Sequence, residues 1–262
     1  MKYGFLGCGN MGGAIARALS KEVDDFLITD RSGKARALAQ ELGCTYSDRD
    51  AIVSTCDAIF IGVKPHMVRD LLSPCVELLQ KRKPLLISMA AGVEIAPLEE
   101  MAGGPLPILR IMPNTPVAVG KGVIQYCCND LVTEEMKQTF LHDMARAGLL
   151  DPIDESLMDA ASALSGCGPA FAYLFLEAMA DGAVACGVPR AKALEYAAAT
   201  LAGAGEMVLA TGQHPGALKD AVCSPGGSTI QGVRTLEQHG FRGAVMDCVI
   251  AAFEKNQKLG KS

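Results

Sequence analysis

Gly7-Cys8-Gly9-Asn10-Met11-Gly12 spells GxGxxG directly after an apolar run at residues 2–6 and directly before a helical pattern. Gly7 permits the tight turn, Gly9 lets a pyrophosphate approach bare backbone, and Gly12 brings helix and strand together. The helix start adds free N–H groups and a positive dipole end, so the string predicts a dinucleotide site. Asp30 closes the second apolar run, where an acid accepts the adenine-ribose 2′-hydroxyl, and this favours NAD. Arg31 and Ser32 follow it, and a guanidinium with a hydroxyl suits a 2′-phosphate, which favours NADP. With Arg49 as a second cation the balance leans to NADP, NAD being the alternative, and Asp30→Ala is expected to raise NADPH preference.

A second anion site is predicted at Ser224-Pro225-Gly226-Gly227-Ser228-Thr229, ahead of a helical run through Ile230, Val233 and Leu236. A Gly-Gly turn at a helix start, flanked by hydroxyls, suits a carboxylate; an ordinary N-cap with an early Pro would read the same way. Glu177 and Asp181, four apart on one helical face, have the types of an acid/base pair, though solvated or interhelical pairing explains them equally. Cys127, Cys128 and Cys167 have no neighbouring His to make them nucleophiles.

The elements that must position these groups change character along the chain. Short apolar runs at 2–6, 26–29, 58–63, 85–89, 108–112 and 117–126 alternate with helical faces such as Met11, Ala14, Ile15, Ala18 and Leu19. Such alternation predicts an α/β half, a parallel sheet covered on both faces, over residues 1–151. After Pro152 the pattern is all helical: 158–164, 170–186, 190–211 and 230–258, punctuated by Gly and Pro. The helix from Ala170 is apolar nearly all round, so residues 152–262 are expected to bury it against another subunit.

Composition narrows the class. Net charge is −5, from 24 Lys plus Arg against 29 Asp plus Glu, which gives no support to nucleic-acid or anionic-membrane binding. No apolar run is read as approaching about 18 residues, so no membrane span is expected. Gly7, Gly9, Gly12 and Gly13 interrupt any signal-peptide core. The 10 Cys lack a CxxC pair and the 4 His lack HxxxH spacing, so no metal site is expected. Thiols in apolar runs suit a reducing, cytoplasmic setting.

Six motifs in order carry a resemblance that spans essentially the whole chain: Phe5 to Gly12, Val63-Lys64-Pro65, Ser88-Met89-Ala90-Ala91-Gly92, Met112-Pro113-Asn114-Thr115-Pro116, Ser165-Gly166-Cys167-Gly168-Pro169-Ala170, and Leu218-Lys219-Asp220 through Ile230. Together they resemble pyrroline-5-carboxylate reductase. The resemblance implies a Rossmann-type doubly wound sheet followed by an all-helical dimerisation domain, often assembled into rings of dimers. It implies reduction of 1-pyrroline-5-carboxylate to L-proline with NADPH or NADH. It places cofactor contacts at Leu6, Gly7, Cys8, Gly9, Asn10, Met11 and Gly12, around Asp30, Arg31 and Ser32, at Gly62, Val63, Lys64 and Pro65, and at Met89, Ala90 and Ala91. Substrate contacts fall on Ser224, Gly226, Gly227, Ser228, Thr229 and Asn114, with Thr229 and Lys64 as candidate catalytic groups. Three positions depart from the family: Arg49 where Asn is frequent, Cys167 where Ser is common, and Ser228 where Thr or Ala is common.

Hydride transfer to a cyclic imine needs mainly geometry. The proton comes from solvent, from an imine already protonated before it binds, or from a hydroxyl such as Thr229. A hydroxyacid dehydrogenase of the same plan would instead need an acid such as Lys64 or Lys219. A non-catalytic dinucleotide sensor would have no use for the second anion turn.

Overall fold

In the computed structural model, which describes residues 1–259, eight strands form among the described residues. They are β1 (Tyr3–Leu6), β2 (Phe26–Thr29), β3 (Thr45–Tyr46), β4 (Ala58–Ile61), β5 (Leu85–Ser88), β6 (Ile108–Pro113), β7 (Gly122–Cys128) and β8 (Gly148–Pro152). They form one sheet in the order β3-β2-β1-β4-β5-β6-β7-β8. Neighbours run parallel except β6 and β7, which are antiparallel, with Ile111 opposite Tyr126. The helices of this unit are α1 (Asn10–Leu19), α2 (Lys34–Leu42), α3 (Arg49–Thr55), α4 (Val68–Leu72), α5 (Val76–Arg82), α6 (Ile95–Met101), α7 (Glu134–Asp143) and α8 (Met158–Ser165).

Alternating strand residues feed two cores, one on each face, as a doubly wound sheet requires. On one face Phe5 stacks on Phe60 with centroids 4.4 Å apart, among Ile15, Leu19 and Phe140. On the other, Leu6, Ile59 and Ile61 pack with Leu72 and Leu79. The strand order reverses between β1 and β4, so a crevice opens where Leu6 and Ile61 end side by side.

Two sequence expectations give way here. The strand expected over 117–126 begins with a 3-10 turn, Thr115–Val119, and β7 starts only after Gly120, whose φ of 76° reverses the chain. This reversal makes β7 antiparallel to β6, so the sheet is not wholly parallel. Strands β3 and β8 escaped the pattern because β3 is two residues long and β8 alternates poorly.

The chain divides into two compact units: Met1–Cys167 joined by Ala252–Ser262, and Gly168–Ala251. Within the first, Asn256 donates to the carbonyl of Asp159 at 3.1 Å, tying the chain's return to α8. The second holds α9 (Gly168–Ala185), α10 (Arg190–Thr211), α11 (Pro215–Ala221), α12 (Ser228–Gln238) and the start of α13 (Phe241–Leu259). The single helical run expected over 230–258 breaks at Gly240, with φ 70°. Ala180, Ala193 and Ala197 join α9 to α10, while Tyr173, Leu174, Leu209 and Met246 lie exposed. Against expectation, the stretch Glu155–Ala185 is long and apolar enough to cross a membrane by length and composition alone. The cause is the composition of α9, which carries only Glu177 and Asp181 as charges over its eighteen residues.

Candidate functional site

The crevice at the strand-order reversal holds a cavity of about 320 Å³. Leu6, Gly7, Cys8 and Gly9 line it from the β1–α1 turn, Asp30, Arg31 and Ser32 from the end of β2, and Gly62 and Val63 from the end of β4. Thr29, Arg49, Met67 and Leu71 complete it. Met67 and Leu71 are not among the expected site residues; the position of α4 just beyond Gly62 is the signal that they line this cavity.

The glycines separate by what a side chain would meet. A Cβ on Gly12 would lie 2.3 Å from the Gly7 carbonyl oxygen, and one on Gly62 would lie 2.2 Å from that same atom. Gly7 itself has φ 107°. These three backbones touch, so their lack of side chains serves packing. A Cβ on Gly9 would meet nothing within 4 Å. Gly9 is also the N-cap of α1, with no side-chain cap and no acidic residue in the first turn. An uncapped helix start facing open space beside a bare backbone fits the pyrophosphate of a dinucleotide. Burial, then the charge of Asp30, pushes the Cys8 thiol up to about 12, so it stays a neutral thiol in the loop.

The other predicted residues are placed as follows. Asn10 is exposed and Met11 half-buried on the first turn of α1. Lys64 is exposed ahead of the 3-10 turn Pro65–Met67. Met89 and Ala90 are buried and Ala91 exposed beyond β5. Asn114 is only 6% exposed: its Nδ2 donates to the Ser165 carbonyl at 2.9 Å and its Oδ1 accepts from the Val123 N–H at 2.9 Å. Gln125 bonds the Ser165 hydroxyl at 2.8 Å, so the two amides hold the end of α8 on the sheet. Arg110, 2% exposed, holds its start: Nη1 donates to Glu155 at 2.9 Å and Nη2 lies 3.7 Å from Asp159.

In the helical unit, Gly226 has φ 71° and the Gly227 N–H donates to the Ser224 carbonyl at 3.1 Å. Gly227 is the N-cap of α12 and has no side-chain cap. Ser228 and Thr229 occupy the first turn of that helix, exposed, with no acidic residue among them. Asp181 pairs with Arg190, which occupies one of the two carboxylates read as a possible acid/base pair. Cys127 is pushed up to about 12 by burial and then by Glu155, which removes its thiolate character at neutral pH.

Residues 155–259 match the family model described as pyrroline-5-carboxylate reductase dimerisation, and residues 2–92 match one described as NADP oxidoreductase, coenzyme F420-dependent. The chain is 41% identical over 267 residues to a pyrroline-5-carboxylate reductase of Escherichia coli (strain K12), covering 100% of this chain and 99% of the relative. One from Pisum sativum is 40% identical over 98% of this chain and 95% of its own length. The crystal structure of Plasmodium falciparum pyrroline carboxylate reductase with NADP bound superposes with a TM-score of 0.89 at 35% identity, covering 99% of this chain and 98% of that one.

Proposed function

This chain belongs to the pyrroline-5-carboxylate reductase family, and on that premise we propose how its own residues carry the NAD(P)H-dependent reduction of 1-pyrroline-5-carboxylate to L-proline, the last step of proline biosynthesis. The observation that carries the cofactor assignment is the open space at Gly9, set against the closed contacts of Gly7, Gly12 and Gly62. A dinucleotide held there by its pyrophosphate would supply, from its nicotinamide, the hydride that reduces the imine carbon. Residues 1–151 form the dinucleotide domain in this reading, with contacts along Leu6–Gly12, at Gly62–Pro65 and at Met89–Ala91. Arg31 serves as the cation for a 2′-phosphate, so NADPH is the preferred donor and NADH the alternative.

The substrate and dimerisation domain is assigned to residues 152–262, of which α8 and the stretch from Ala252 pack with the first unit. The N–H groups and hydroxyls at Ser224, Gly227, Ser228 and Thr229 hold the substrate carboxylate, supported by the uncapped start of α12. Thr229 is the candidate donor of the proton that the imine nitrogen gains, with Lys64 as a second candidate at the cofactor side. Asn114 acts by holding α8 in place. The uncovered apolar helices support a dimer; the ring of dimers and the cytoplasmic setting rest on the family resemblance alone.

The test is spectrophotometric: oxidation of NADPH and of NADH with the cyclic imine, beside a 3-hydroxy acid with the oxidised cofactors. Turnover of the imine alone, faster with NADPH, is expected. Turnover of the hydroxy acid without the imine would overturn the reading.

A further inference from the structure

Asp30 lines the cavity just past the end of β2, and its carboxylate is engaged within its own turn. Oδ2 accepts two hydrogen bonds from its own turn, from the Ser32 hydroxyl at 2.7 Å and from the Ala35 N–H at 3.2 Å. Oδ1 is wholly buried and has no partner among the described residues. One oxygen is thus shut off from solvent and the other already accepts twice within its own turn.

The reason lies in how α2 begins. Its N-cap is Gly33, in the left-handed region at φ 76°, which has no side chain with which to cap. The first N–H groups of a helix still need acceptors. Asp30 takes the Ala35 N–H, and the Ser32 hydroxyl lies 3.5 Å from the Lys34 N–H. A carboxylate at this end also gains from the helix dipole. Ser32 is thereby committed as well, since its one proton points at Asp30 and not outward.

Arg31 differs from both. It is exposed, lines the same cavity, and makes no hydrogen bond or ion pair among the described residues. Arg49, the other cation of the lining, is bonded to Asp50 at 3.0 Å.

We propose that Asp30 is the anchor of the α2 start and does not read the adenosine ribose, so that discrimination between NADPH and NADH rests on Arg31. The proposal rests on the dinucleotide reading above and revises one of its sequence-based expectations, that the acid at this position is the NAD-favouring group.

The experiment uses the full-length protein, with NADPH and NADH dissociation constants from fluorescence titration and apo-protein thermal melting. Asp30→Asn keeps an oxygen for Ser32 and Ala35, and its NADH affinity is expected to stay within about threefold of wild type. A ribose reader would lose about 10- to 100-fold there. Asp30→Ala removes the anchor and is expected to lower the apo melting temperature by about 2–4 °C. Arg31→Ala is expected to weaken NADPH by at least about tenfold and leave NADH within about threefold. An NADH loss of about tenfold or more in Asp30→Asn at unchanged melting temperature, or Asp30→Ala melting like wild type, overturns the anchor. Equal losses of both cofactors in Arg31→Ala overturn the assignment to Arg31. Wild-type protein that binds neither dinucleotide overturns the functional reading and the Arg31 assignment with it, while the anchor still stands or falls on the melting data.

Discussion

A methyl group added at Gly62 and a side chain added at Gly9 meet opposite surroundings. At Gly62 the new Cβ would sit 2.2 Å from the Gly7 carbonyl oxygen, a backbone atom that cannot swing aside. Gly62→Ala is therefore expected to destabilise the protein by about 1–3 kcal/mol in urea unfolding, with a matching loss of activity. At Gly9 nothing lies within 4 Å. Gly9→Val should leave the apo melting temperature unchanged and abolish NADPH binding by fluorescence titration; retained affinity would remove the phosphate site from this loop. Thr229→Val tests the other end of the reaction. It keeps shape and removes the hydroxyl, so kcat/KM for the imine should fall by roughly one to two decades, the value of one or more charge-assisted hydrogen bonds. NADPH affinity should not follow. The reverse result, weakened NADPH with normal imine kinetics, would make the α12 turn a cofactor element.

Helix α8 is the element on which sequence pattern and structure diverge most usefully. Its composition groups it with the helices that follow, yet polar bonds fix it to the sheet at both ends, by Arg110 at the start and by Asn114 and Gln125 at Ser165. Arg110 sits in the middle of an apolar strand, and its Nε has no partner among the described residues. Replacing it with Met leaves Glu155 and Asp159 without their cation and should cost about 3 kcal/mol by urea unfolding; a loss below about 0.5 kcal/mol would show that the clamp is dispensable. The strands that were legible are those buried on both faces, because a parallel sheet writes itself as continuous apolar runs. What stayed hidden was either too short to show a period, as β3, or set by a turn, as the Gly120 reversal before β7. The GxGxxG loop was legible as a loop, since its meaning is carried by local spacing. The commitment of the Asp30 carboxylate to Ala35 was not, because it depends on Gly33 leaving a helix start uncapped, a fact of backbone conformation.

For the molecule as a whole, the apolar surface of the second unit demands a partner. Leu174 is 68% exposed on a helix that is apolar on most sides, and Leu209 and Met246 are comparably bare. Membership of the family accounts for this, since residues 155–259 match its dimerisation model. Leu174→Asp should shift sedimentation from dimer or larger species towards monomer at micromolar concentration and take activity with it; an active, stable wild-type monomer would contradict the role given to these helices. The way the chain returns to its first unit bears on how the protein is made. The stretch from Ala252 packs with residues 1–167, and Asn256 reaches α8 only after the helical unit has been synthesised. At roughly 5–20 residues per second on the ribosome, the nascent sheet waits seconds with this contact missing after its own last residue has emerged. The sheet is therefore translated before the helical unit, and gains its Asn256 contact only after that unit has been made.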